Sequence, residues 1–132
     1  MGEKKISRKK AKIFLLGFAF KGRPPTSDVR GSTTYSLIER LKKNGLTDIT
    51  GYDPLVKKDD IVRSDARHAA RPTPFLKGSH VIVIMNNNPH FEELNIPAIL
   101  KNAKRPVLFV DAWALYPKAF LEGHPHVVHY QL

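Results

Sequence analysis

Three cations, Lys21, Arg23 and Arg30, stand among four hydroxyl side chains, Thr26, Ser27, Ser32 and Thr33. Charged donors beside hydroxyls, just ahead of a helix start, are the chemistry of an oxyanion site. Free amides, the helix dipole and guanidinium forks all favour a bound phosphate. The same residues also have plain structural roles open to them: Asp28 can neutralise Arg30 or Arg23, and Ser32 can cap the helix.

A dinucleotide turn is the weaker reading of this stretch. Gly17, Ala19 and Gly22 fall on the three positions of G-x-G-x-x-G, but the middle glycine is missing and Arg23-Pro24-Pro25 delays the helix. The turn is therefore a poor cradle for a dinucleotide pyrophosphate. Asp53 and Asp111, each just beyond an expected strand, can accept from a ribose or can close turns. Asn86 to Asn88 can meet a base or sugar or simply form a loop, and Trp113 can stack on a base or close the core. His124 and His126 share a strand face while His129 points away, with no cysteine or carboxylate close by, so no metal site is expected.

The elements that must position these groups follow from periodicity. Ile13 to Phe20 is an apolar run broken only by Gly17, the pattern of a strand buried on both faces. Tyr35, Leu37, Ile38 and Leu41 recur at helical spacing, which predicts a helix from about Ser32 to Asn44 with Gly45 at its left-handed end. Further strands are expected at Ile49 to Tyr52, Val81 to Met85, Val107 to Val110 and Val127 to Tyr130. A helix near Phe91 to Leu100 is interrupted at Pro97, and a short turn or helix is expected around Pro117 to Leu121. Leu55 to Lys77 shows no period. Alternating strands and helices predict an α/β fold: an open, mostly parallel, doubly wound, Rossmann-like three-layer sheet. Ligands of such sheets sit at the C-terminal strand ends, which here means Phe20 to Ser32, Asp53, Asn86 to Asn88 and Asp111 to Trp113.

Bulk properties bound the partners. The 132 residues, 42% hydrophobic, suit one globular domain, here 11–132, behind a basic segment at 1–10. The net charge of +10, from 22 Lys and Arg against 12 Asp and Glu, favours an anionic partner. The aromatic residues fall mainly on strands and the helix face rather than along a cationic stripe, which disfavours nucleic acid. No cysteine is present, which excludes a disulfide framework, a thiolate metal site and a cysteine nucleophile, and fits a reducing compartment. The start is too charged for a secretory signal, and no apolar run approaches the roughly 20 residues that cross a bilayer. A cytoplasmic protein with no membrane partner is expected.

In order and in local detail the blocks GFAFKGRPPTSDVRGS, GYDP, LKGSHVIVIMNNNPHF and PVLFVDAW resemble the UDP-glucose/GDP-mannose dehydrogenase family, enzymes that oxidise nucleotide sugars to uronic acids. The resemblance spans about Ala11 to Gly123 and covers the family's C-terminal, nucleotide-sugar-binding domain. It implies that Phe20 and Lys21 contact a UDP-sugar and that Arg30 reaches toward NAD held mainly by a catalytic N-terminal domain. The charge and hydroxyl pattern itself marks Arg23 and Ser32 as support for the anion site. The resemblance also implies an oligomeric complete enzyme and a place in polysaccharide biosynthesis. Two departures stand out: many relatives read D-G-R where this chain has Asp111-Ala112-Trp113, and the family's G-x-G-x-x-G domain and catalytic cysteine are absent from these residues. By that resemblance the chain alone is expected to be inactive.

Overall fold

The structure, a computed structural model, describes residues 7–120 and 124–131. Its centre is a six-stranded sheet, every ladder parallel, in the order β3-β2-β1-β4-β5-β6. The strands are β1 (Lys12–Leu16), β2 (Asp48–Tyr52), β3 (Arg67–His68), β4 (Val81–Ile84), β5 (Val107–Asp111) and β6 (Val127–Gln131). Helices α1 (Thr33–Lys43), α2 (Lys58–Val62), α3 (Thr73–Gly78) and α4 (Ile96–Leu100) connect them, with 3-10 turns at Pro89–Glu93 and Lys118–Phe120. Chain order reverses direction at β1, whose two neighbours are β2 and β4, so the crevice of the fold lies above that pair.

Two cores flank the sheet. Phe14, Leu16, Ile82, Ile84, Phe91, Leu100 and Phe109 bury one face beneath α3 and α4. Ile13, Leu15, Phe18, Ile38, Ile49 and Ile61 bury the other beneath α1 and α2. The alternation along each strand follows from the two-residue side-chain period. This second face is covered mainly over β1 and β2. On it Leu108, Val128 and Tyr130, which share a face by register, remain exposed.

Helix α1 matches its sequence signals: Ser32 caps it by accepting from Thr34 N, Arg40, Lys42 and Lys43 fill its last turn, and Gly45 follows at φ 83°. The first strand is shorter than the apolar run. It ends at Leu16 because Gly17 turns the chain at φ 109°, and the apolar residues Phe18 and Ala19 pack beneath the loop rather than extending the ladder. Within the unread stretch the structure places α2, the two-residue β3 and α3. Of the basic segment, residues 7–10 form an exposed turn, with Lys10 N donating to Ser7 O and the Arg8 guanidinium to Asn44 O. The rest of that segment, and Leu121, lie outside the described residues.

Candidate functional site

Two loops meet over the crevice, 17–32 after β1 and 85–88 after β4. Asp53, at the end of β2, ties the first loop down. Its Oδ2 accepts from Phe18 N (2.8 Å) and Ala19 N (3.1 Å), while its Oδ1 accepts from Leu55 N (2.9 Å) and Val56 N (3.2 Å). Asp53 is therefore a turn-closing carboxylate with both oxygens occupied, not a free acceptor for a ribose. Asn86, 1% exposed, donates to Ala19 O and accepts from Asn88 N, and Asn88 caps the next turn through His90 N. Gly17 and Gly22 let the loops touch. A Cβ on Gly17 would sit 2.9 Å from Asn86 Cγ, and one on Gly22 would collide with the backbone of Asn87 and Asn88.

These contacts decide the dinucleotide question. In a fingerprint turn the amides just after the first strand face the pyrophosphate; here the Phe18 and Ala19 amides are consumed by Asp53. Gly22 is filled by the asparagine loop. The residues present do not fit a dinucleotide at this turn. Phe20 N is taken as well, by Asp28 O.

Two of the three cations are already paired with carboxylates. Arg23 Nε donates to Asn87 O (3.1 Å) and its NH2 pairs with Glu92. Arg30 grips Asp28 through two nitrogens, Nε to Oδ1 at 3.0 Å and NH2 to Oδ2 at 2.7 Å. The Arg30 hydrogen bonds hold the Asp28 carboxyl down at about 2, with Lys21 adding a smaller electrostatic pull. Asp28 in turn raises the Arg30 pKa. Ser32 is buried and spent on its cap. Lys21 lies over the Phe20 ring, 5.2 Å from its centroid, and among the described residues forms no ion pair. Phe20 is itself 45% exposed. The structure thus leaves an exposed Phe20–Lys21 pair as the free donor surface, flanked by two ion pairs open to solvent, which screens them and makes them weak.

At the far side of the crevice Asp111 is fully buried and accepts from Leu115 N and Tyr116 N, both at 2.9 Å. It shapes the turn that carries Trp113. Trp113 closes no core: it is 50% exposed, and its Nε1 donates to Met85 O at 3.2 Å. Behind the site Tyr52 Oη meets His90 Nε2 at 2.9 Å, a pair that sequence spacing does not suggest. Burial raises the Tyr52 pKa.

The sequence matches the model of the UDP-glucose/GDP-mannose dehydrogenase family, UDP binding domain, over residues 14–118. The chain belongs to this family. Within it, the chain corresponds to the UDP-binding domain. Among solved structures, that of a UDP-glucose dehydrogenase from the hyperthermophilic archaeon Pyrobaculum islandicum superposes with a TM-score of 0.65 at 21% identity. The match covers 92% of this chain and 25% of that one, so the chain spans a quarter of that relative's length, and the likeness is one of fold. No curated protein matches the sequence. Among the described residues no helix is long and apolar enough to cross a membrane.

Proposed function

We propose that this chain is the nucleotide-sugar-binding domain of an NAD-dependent nucleotide-sugar dehydrogenase of the UDP-glucose or UDP-N-acetylhexosamine type. Such an enzyme oxidises a sugar alcohol to a uronic acid, and the expected setting is cytoplasmic polysaccharide biosynthesis in an oligomer. Residues 11–132 form the binding domain and 1–10 a basic lead-in. The observation that carries the reading is the exposed Phe20–Lys21 pair on a loop fastened at the switch point of a UDP-binding-family fold.

Lys21 donates its ammonium to the diphosphate oxygens, and Phe20 packs against the nucleotide sugar. The Asp28 carboxylate, gripped by Arg30 and felt by Lys21, stands near where the anionic ligand would add its charge. Binding therefore competes with an exposed pair, and Arg30, once freed, is the side chain this domain offers toward cofactor. NAD, held by another domain, supplies the hydride acceptor. This chain contributes substrate grip and orientation, with no catalytic nucleophile of its own.

The test is a UDP titration followed by amide NMR. Signals from Lys21 to Ser32 should move and saturate, and a Lys21→Ala variant should lose the response. Unmoved signals with UDP, together with shifts on adding duplex DNA, would replace this reading with a nucleic-acid-binding module.

A further inference from the structure

We infer that Trp113 is the platform on which the nucleobase of the bound nucleotide stacks, an inference that rests on the function proposed above. The indole is presented by a built turn. Asp111, fully buried, fastens the Leu115 and Tyr116 amides, Ala114 N donates to Asp111 O, and Ala114 is held at φ 52°, a left-handed conformation unusual for alanine. The ring's single donor is spent on Met85 O, which fixes its orientation. With half its surface in solvent and no place in either core, the indole has a face free for a flat apolar ligand.

Its position suits a base rather than a phosphate. Strands β1, β4 and β5 are adjacent, so the loop bearing Phe20 and Lys21 and the turn bearing Trp113 rise from strand ends two spacings apart, about 10 Å. That is roughly the reach of an extended nucleotide from diphosphate to base. The 85–88 loop lies between them, bound on one side by Arg23 and on the other by the indole. A diphosphate on Lys21 thus directs its nucleoside across that loop toward the ring. Stacking recognises a π-face, so the platform contributes affinity while leaving base identity to hydrogen bonds.

Trp113 is the one tryptophan in the chain, so its emission reports the site directly. Tryptophan fluorescence and Lys21 to Ser32 amide shifts are followed together during titration with UDP and, separately, inorganic pyrophosphate. The inference expects UDP to quench emission with the same midpoint as the amide shifts, and pyrophosphate to shift the amides without quenching. Trp113→Ala should weaken UDP binding about tenfold while Trp113→Phe retains most of it. Amide shifts with unchanged emission, or an alanine variant that binds UDP as tightly as wild type, would overturn the platform and leave the proposed function standing. No response of either signal to UDP would overturn both.

Discussion

Replacing Asp53 by asparagine is the sharpest perturbation of the loop that carries Phe20 and Lys21. The carboxylate serves four backbone amides, two from each oxygen. Asparagine keeps the shape but has one carbonyl oxygen, so its NH2 must face either the Phe18 and Ala19 amides or the Leu55 and Val56 amides. Two donors lose an acceptor in a site where Asp53 is only 6% exposed. Leaving a buried donor unsatisfied costs about 1–3 kcal/mol, so the pair implies roughly 2–6 kcal/mol against a typical total stability of about 5–15 kcal/mol. Taking mid-range values, about 4 kcal/mol over a urea slope of about 2 kcal/mol per molar, the unfolding midpoint should fall by about 2 M. Urea unfolding followed by far-UV circular dichroism reads this directly. A midpoint within about 0.3 M of wild type would refute the claim that Asp53 anchors the loop.

Other outcomes follow from the same geometry. Gly22→Ala places a methyl group into the Asn87 and Asn88 backbone, so it should cost about 1–3 kcal/mol in thermal or urea unfolding and weaken UDP binding by parting the loops. Asp28→Asn removes the carboxylate that occupies Arg30, so UDP should bind more tightly and with a steeper salt dependence in calorimetry. Burial lowers the pKa of both His80, whose Nδ1 accepts from Lys12 N, and His129, stacked on Phe109 and 3.7 Å from Asp111. Their folded values lie below the unfolded 6.5, so the unfolded chain takes up protons first. Stability should then be full above about pH 6.5 and fall as pH drops below it, a slope that urea midpoints at pH 7.5 and 5.5 would reveal and that a His80→Gln, His129→Phe double variant should flatten.

Much of the fold is legible because its strands are apolar runs bounded by turn residues. Val81 to Ile84 and Val107 to Asp111 lie within a residue of expectation, and the Ser32 cap and Gly45 frame α1. The stretch from Leu55 to Lys77 is illegible for a physical reason. Its helices have five and six residues and its strand two, too few to display a period, and long-range contacts rather than local propensity hold them: β3 pairs with β2, Ile61 of α2 sinks into one core and Leu76 of α3 into the other. In the site, the cations and the Phe20–Lys21 pair are readable, and so is Asp28 as the partner of Arg30, but the long-range partners are not. That Asp53 consumes the amides after β1, that Arg23 reaches across to Asn87, and that Trp113 is tethered to Met85 all depend on contacts between residues more than 25 positions apart.

We propose that Lys21, on this fastened loop, holds the diphosphate of a uridine nucleotide, and isothermal titration calorimetry of UDP against wild type and Lys21→Ala reads that contact. Wild type should bind saturably and the variant about tenfold or more weakly, as expected for loss of one charged hydrogen bond. Equal affinities in the two proteins would contradict it.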